Sequence, residues 1–351
     1  MSESTGADPA IPEKTDEADP KTSPGADRES NSGKDEGKRS AVGTAGWAGV
    51  HRPLAVFSLA MGVVSLATLV GLAVDERMLA GAPIWLKPLH FAFSLAVYGA
   101  TLAWLIPRIR RFPRTAWWAG TLIALSSLAE MVIIGVQAWR GTYSHFNMTT
   151  DVNTAFMNSM TVAVIVLWTS NLVAAILVLR DRAHSLPLRY GIRLGLVLAV
   201  IGMALGMLMN NPTPEQSRAV EEGLPTLVGA HNVGVADGGP GMPLTNWSTE
   251  GGDLRIPHFV GIHALQVVPL AALAVAHLGR RRPDSRLADE HTAARLVLVV
   301  GAVWAGLLAI VTWQALRGQS LIHPDALTLT VTGALLASGA LAATLALRVR
   351  R

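Results

Sequence analysis

Cysteine is absent from all 351 residues of this chain. Without a thiol, the protein can form no disulfide, no thiolate-bound metal centre and no iron–sulfur cluster, and it has no cysteine nucleophile. Charged residues are also scarce, at 15% of the chain, whereas 50% of the residues are hydrophobic. The redox state of the compartment therefore cannot be inferred, and the informative property is the distribution of the hydrophobic residues.

The hydrophobic residues are gathered in runs of about 18 to 25, a length that crosses a bilayer as a helix. Lipid offers the backbone no water, so each run has to be helical. Eight runs, called spans 1 to 8, lie near 54–74, 88–107, 116–138, 155–179, 190–210, 258–278, 294–316 and 326–347. The sequence thus predicts an all-α integral membrane protein with eight transmembrane helices.

Arginines distinguish the two faces of the predicted protein, because Lys and Arg accumulate in short cytoplasmic loops. Loops 2, 4 and 6 and the C-terminal end are rich in arginine, while each odd-numbered loop has one or two cations. We therefore expect both termini in the cytoplasm and loops 1, 3, 5 and 7 outside. The leaning toward Ala, Leu, Val, Arg and Gly indicates a multi-pass protein of a bacterial inner membrane.

Residues 1–46 contain ten acidic and six basic residues and almost no large apolar side chains. Such a segment cannot bury enough surface to fold, so we expect a disordered cytoplasmic tail. The rest of the chain is expected to form two four-helix membrane modules, at 47–180 and 181–351. Its basic character reflects arginines beside the inner lipid surface, which indicates the lipid bilayer and not nucleic acid as a partner.

Two repeated motifs indicate that the modules are copies. Gln-Ala-x-Arg-Gly ends span 3 at 137–141 and span 7 at 314–318. A cation three residues before His-Phe begins span 2 at Lys87 and span 6 at Arg255. A simpler interpretation of the first motif is a helix end in which Arg reaches the headgroups and Gly caps the last turn. Because both motifs occupy matching positions, we favour a duplication with a pseudo-twofold axis along the membrane normal.

Loop 5 departs from this symmetry, since it runs from 211 to 257 whereas loop 1 has about 13 residues. Loops of that length usually have a function or are disordered. This one is rich in glycine, contains His231 and Trp247, and has little of the repeated charge of a solvated tail. We expect it to fold as a lid on the outer face.

Ionisable groups inside spans are candidates for function, because they are costly in lipid. Glu130 is the only carboxylate well inside a predicted span, so we assign it a catalytic or proton-coupled role. A carboxyl bonded to a neighbouring helix is the structural alternative. At about 100° per residue, span 6 has one polar arc, formed by Arg255, His258, His263 and Gln266. Span 2 has a narrower one, formed by Lys87, His90, Ser94 and Tyr98.

Six of the ten histidines lie near the predicted outer face, at 90, 145, 231, 258, 263 and 323. Imidazole is a common metal ligand and a proton carrier near neutral pH, although any one histidine can also be purely structural. One hypothesis is haem b between two histidines, with Arg140 or Arg317 pairing its propionates. Its ligand candidates are His90, His258, His263 and His323. Another is a divalent metal held by His258, His263 and a loop carboxylate.

In architecture, two four-helix copies with outer-face histidines in spans 2 and 6 resemble the haem A synthases, over residues 47–351. The resemblance implies haem ligation at the outer face. The chain departs from that pattern where His145 and His323 precede spans 4 and 8 instead of lying within them.

Three functions stay open. The first, which we favour narrowly, is a haem- or metal-binding, redox-linked membrane protein with a histidine-rich extracytoplasmic site. The second is a transporter of a small anionic solute with Glu130 as its proton-coupled group. The third is a sensor or assembly factor that binds an extracytoplasmic partner through loop 5. The residues expected to bind substrate or gate access are Lys87, Arg255, Gln137, Gln314, Gln266 and Asp253.

Overall fold

The computed structural model describes residues 49–180 and 184–348, so the predicted tail at 1–46 lies outside the described residues. Eight helices in the described part are long and apolar enough to cross a membrane, which confirms the predicted spans. In chain order, spans 1 to 8 are Arg52–Val74, Leu86–Leu105, Pro113–Trp139, Asp151–Arg180, Leu186–Gly206, Arg255–Arg281, Glu290–Leu316 and Ala326–Arg348. The protein is therefore a helical multi-pass membrane protein.

Local chemistry explains where several spans begin. Spans 1, 3 and 5 have proline in the first turn, where a missing N–H breaks no helical hydrogen bond. His51 caps span 1, since its Nδ1 accepts from the Leu54 N–H at 3.3 Å and its Nε2 donates to the Trp117 carbonyl at 2.9 Å. Asp289 caps span 7 by accepting from the Thr292 N–H at 2.7 Å.

Spans 3 and 7 end in the same way. Gly141 and Gly318 have φ angles of +74° and +70°, in the left-handed region that glycine enters without strain. The side-chain amide of each motif's glutamine donates to the carbonyl six residues further on, at 3.1 Å from Gln137 and 2.7 Å from Gln314. Both copies of Gln-Ala-x-Arg-Gly therefore form the same helix-ending turn.

The two halves also have the same pattern of main helix contacts. Span 1 packs on spans 2 and 3, span 2 on span 3, and span 3 on span 4; spans 5 to 8 repeat this order. Between the halves, span 4 packs on span 5 and span 2 contacts span 6. This pattern is compatible with duplication. The duplication, the two modules and the side of the membrane on which the termini lie stay predictions.

Spans 5 and 6 approach each other along a line of glycines. A Cβ atom on Gly202 would lie 2.6 Å from the Cα of Gly261, and one on Gly195 would lie 2.7 Å from the carbonyl oxygen of Ala264. Small residues let membrane helices pack backbone against backbone in this way. The contact brings the first turns of span 6 against the end of span 5.

Residues 211–254, called the lid below, are folded. They contain a short helix, Pro214–Glu221, and the antiparallel strands Asn232–Val233 and Gly252–Asp253, which we label β3 and β4. Loop 1 forms a smaller hairpin from β1, Met78–Leu79, and β2, Ala82–Pro83. Residues 255–257 of the predicted loop 5 belong to span 6 instead.

Three loops hold the lid at one end of the helices. In loop 3, the carbonyl of Phe146 accepts from the N–H of Val228 at 2.7 Å. In loop 7, the Ser320 hydroxyl donates to the Ser248 carbonyl at 3.2 Å. In loop 1, Gly81 packs against the backbone of Gly238. The four odd-numbered loops therefore lie together at what we call the lid face.

We expect Gly202→Val to destabilise the protein, because its side chain would meet the backbone of Gly261. Overpacking of this kind costs about 1 to 3 kcal/mol. The unfolding temperature in detergent, followed by tryptophan fluorescence, measures the effect. Gly62→Val is the matched control, since a Cβ there meets nothing within 4 Å. An equal loss in both variants would contradict the packing described here.

Candidate functional site

A cavity of about 1300 Å³ lies beneath the lid, between loops 1 and 3 and spans 2 to 6. It extends to Tyr98 and Trp168, near the middle of their spans. Its deeper wall is mainly apolar and includes Ile134, Met160, Val164, Leu167 and Met203. Small-molecule sites are typically concave, mostly apolar and roughly 300 to 1,000 Å³, so this cavity can hold a sizeable organic molecule.

Glu130 lines this cavity from span 3. Its side chain is only 7% exposed, and its Oε2 lies 4.0 Å from the Nε2 of His145. Its Oε1 has no hydrogen-bond partner among the described residues, and the same holds for the buried hydroxyl of Ser127. Buried polar groups are nearly always hydrogen-bonded, so these two atoms mark a place where a bound molecule can supply the partner.

His145, in loop 3, is the histidine nearest to that carboxyl. Its Nδ1 shares a hydrogen bond of 3.0 Å with the Ser144 hydroxyl, and its ring lies 5.6 Å from that of Phe91. Burial holds the pKa of His145 well below the ordinary histidine value, and the charges of Lys87 and nearby histidines lower it further. The imidazole is therefore neutral at neutral pH and is a weaker base than an ordinary histidine.

His231 and Asp237 form a second pair, within the lid. The Nδ1 of His231 donates to the Asp237 carboxylate at 2.7 Å, and the backbone N–H of Asn232 donates to the same carboxylate at 2.9 Å. Burial would raise the pKa of Asp237, but these hydrogen bonds lower it to about 2. Burial lowers the pKa of His231, against the opposing effect of Asp237. Both residues line the cavity.

Lys87 and Arg255, the cations of the repeated motif, both line the cavity near the lid. Arg255 is neutralised, because its guanidinium contacts the Asp253 carboxylate at 2.6 Å and the Asn246 carbonyl at 2.6 Å. Asp253 is buried and also accepts from the Ser248 N–H at 2.9 Å. Lys87 has no hydrogen bond or ion pair with any described residue, so the two cations have different roles.

His90 and His258, the histidines of the same motif, line the cavity as well. The Nδ1 of His258 lies 2.8 Å from the carbonyl oxygen of Gly202. A carbonyl only accepts, so Nδ1 has the proton and Nε2 has a free lone pair.

The other two predicted haem ligands, His263 and His323, do not line the cavity. His263 is five residues after His258, which turns it about 140° around the helix axis. Its Nδ1 lies 3.3 Å from Gln266, whose amide donates to Thr101 of span 2 at 3.3 Å. The ring of His323 is hydrogen-bonded to a lid carbonyl at 3.1 Å. The four predicted ligands therefore do not converge.

The arginines and glutamines of the two helix-ending turns were also predicted as site residues, and they lie outside the cavity lining. Arg140 donates to Gln137 at 2.5 Å and to Asn153 at 3.0 Å. Arg317 pairs with Asp325 and lies over the ring of Trp313. Gln314 is buried in its turn. These contacts give the two arginines structural partners and separate them from the histidines of the cavity.

No described group of three or more His, Asp or Glu side chains is arranged to hold a metal ion. The hypothesis of a divalent metal on His258, His263 and a loop carboxylate therefore has no formed site in this part of the chain. Sequence reasoning missed the pairing of Asp237 with His231, because their six-residue spacing fits no known motif. The glycine-rich setting of the lid was the only signal that pointed there.

Comparison with models of known protein families, with curated proteins and with solved structures gives no match for this chain. The resemblance to the haem A synthases therefore stays a prediction from architecture. The chemistry of the cavity is the basis for assigning a function.

We expect the stability of the protein to fall as the pH drops below about 6.5, the ordinary pKa of histidine. The folded-state pKa values of His145 and His231 are lowered. As the pH falls, the unfolded chain therefore binds protons before the folded protein does. For each of these histidines, the free energy of unfolding falls by up to about 1.4 kcal/mol per pH unit.

Unfolding temperatures in detergent, measured between about pH 8 and pH 5, test this expectation in the range where histidine titrates. His231→Gln should reduce the pH dependence. His323→Gln, on a loop outside the cavity, is the control and should leave it unchanged. A stability that stays constant or rises toward pH 5 would contradict the assignment.

Proposed function

We propose that this protein binds one amphipathic small molecule in the cavity beneath the lid and exchanges a proton with its polar end through Glu130 and His145. The observation that supports this most directly is the buried Glu130 carboxyl, whose Oε1 has no partner among the described residues. It faces a neutral imidazole in a cavity with an apolar deeper wall.

The distribution of side chains in the cavity favours an amphipathic occupant. Ionisable groups lie toward the lid, whereas Met160, Val164 and Trp168 line the part that extends into the membrane. Apolar chains gain free energy when they are buried against such a wall, at about 25 cal/mol per Å². The occupant would therefore lie with its polar end toward Glu130 and its apolar part toward the middle of the membrane.

Proton exchange requires a donor and an acceptor close to the same atom of the ligand. The 4.0 Å separation of Glu130 and His145 is longer than a hydrogen bond, and catalytic contacts commonly tighten when a ligand binds. Glu130 can donate its proton to a ligand oxygen, and the neutral His145 can accept a hydrogen bond from the ligand or a proton from a group more acidic than itself. A redox-linked protein and a proton-coupled transporter would use this pair in the same way.

Haem b is a second candidate, favoured by the geometry of His258. Metal-bound histidines usually donate their other ring N–H to a carbonyl or carboxylate, as His258 does to Gly202. His90, which also lines the cavity, is the remaining predicted ligand in reach of the same space. Lys87 has no ion pair with any described residue, so it fits a propionate better than Arg140 or Arg317 does.

The proposal also includes two features of the architecture. We infer that the halves of the membrane domain are copies, which their matching helix contacts and helix-ending turns support. The arginine-rich loops support a cytoplasmic location for both termini. The lid and the cavity then face the extracytoplasmic side of the membrane.

We expect Glu130→Gln to fold but to retain less of the bound molecule. Losing a hydrogen bond to an ionisable group weakens binding by about 10- to 100-fold. Native mass spectrometry of protein purified from membranes measures occupancy, and organic extraction identifies the molecule.

Glu222→Gln is the matched control for this comparison, because Glu222 is exposed on the lid and does not line the cavity. It should retain the same amount as the wild type. An empty wild-type protein, or equal occupancy in Glu130→Gln, would count against the proposal.

The haem candidate predicts a Soret band in the oxidised and dithionite-reduced spectra of purified protein. His258→Ala should lose most of that band, because His258 would be one of the residues that hold the haem iron. His277→Ala, an exposed histidine further along the same span, is the control and should keep it. A featureless spectrum from folded, haem-supplemented protein would exclude haem.

A further inference from the structure

The ammonium group of Lys87 lines the cavity and has no partner in the part of the chain that the structure describes. It lies in the first turn of span 2, beside the lid. No hydrogen bond or ion pair joins it to any described residue, although lysine has three donors to satisfy. A cation in a largely apolar cavity is costly unless an anion is close, so the position calls for a partner that the described protein does not provide.

The other charged groups near the lid have their own partners. Arg255 pairs with Asp253, and Asp237 accepts from His231 and from two backbone amides. Glu215, on the lid helix, is largely exposed and lies 3.5 Å from Arg218. Arg255 offsets the charge of Asp253, and the Asp237 oxygens already accept hydrogen bonds within the lid, so neither carboxylate forms an ion pair with Lys87.

The start of span 2 adds a weaker attraction for negative charge at the same place. Leu86 and Lys87 line the cavity, and the residue before them, Trp85, provides no side-chain cap. The first amides of a helix are oriented to attract anions. This effect acts in the same direction as the lysine.

From these observations we infer that the occupant of the cavity is an amphipathic molecule with an anionic head, a carboxylate or a phosphate, and that Lys87 binds this head. The inference rests on the proposed function and adds the class of ligand to it. Arg255 acts through Asp253 to hold the lid strand β4 against span 6, so it does not bind the head directly.

The position of Glu130 then couples the ligand to a proton. As a neutral carboxyl, Glu130 donates a hydrogen bond to the anionic head or to the atoms next to it. As a carboxylate, it repels the head across a cavity of low dielectric constant. Loss of the proton from Glu130 therefore weakens binding, and binding of the ligand favours the protonated carboxyl.

The experiment compares three probes on the full-length protein in detergent: dodecyl phosphate, dodecanol and inorganic phosphate. Their affinities are measured by native mass spectrometry and thermal shift. We expect the wild type to bind dodecyl phosphate at least about tenfold more tightly than dodecanol, because a hydrogen bond to a charged group discriminates by that amount.

Variants test whether Lys87 is responsible for the preference for dodecyl phosphate over dodecanol. Lys87→Gln should bind the two amphiphiles equally, and its unchanged affinity for dodecanol shows that the variant is folded. Lys87→Arg should keep the preference for dodecyl phosphate. Arg218→Gln removes a cation from the lid outside the cavity and should behave as the wild type.

The outcomes separate the two proposals. Equal binding of both amphiphiles by the wild type would overturn the anionic head and leave the proposed cavity function intact. Failure of both amphiphiles to bind would overturn the proposed function itself. Inorganic phosphate binding as tightly as dodecyl phosphate would support the anion site at Lys87 and overturn the amphipathic ligand.

Discussion

The close contact between spans 5 and 6 determines where the rest of the cavity can lie. Because Gly202 and Gly261 have no side chains, the two backbones meet and the Gly202 carbonyl comes within 2.8 Å of the His258 ring. This hydrogen bond selects one tautomer of His258 and fixes its ring against the cavity. The first turns of span 6 then form one wall of the cavity that Glu130 lines from span 3. Larger residues in this contact would move one wall relative to the other.

The charged groups of the lid are bonded to one another. Arg255 offsets the charge of Asp253, and the Asp237 carboxylate accepts hydrogen bonds from His231 and from two backbone amides. Lys87 and the Oε1 atom of Glu130 differ from these bonded groups, because neither has a partner among the described residues. Functional groups in a membrane interior are recognised in this way, by a polar atom that the fold leaves unsatisfied.

The eight spans could be predicted from the sequence because span length follows directly from bilayer thickness. Lys87, His90, Glu130 and His258 were predicted as site residues and line one cavity. His263 was grouped with His258 because the two share a wide polar arc, and only the packing of span 6 shows which edge of the arc faces the cavity. The pairing of Asp237 with His231 depends on the path of the lid backbone, which hydrophobic periodicity does not describe.

The attachment of the lid to loops 1, 3 and 7 limits how fast the lid can open. These loops connect three separate pairs of spans, so the lid cannot lift by the movement of one flexible strand alone. Collective motions of this size take microseconds to milliseconds or longer, whereas a free loop moves in nanoseconds to microseconds. The dwell time of an occupant would then be set by rearrangement of the whole lid face, and exchange would be slow even where affinity is modest.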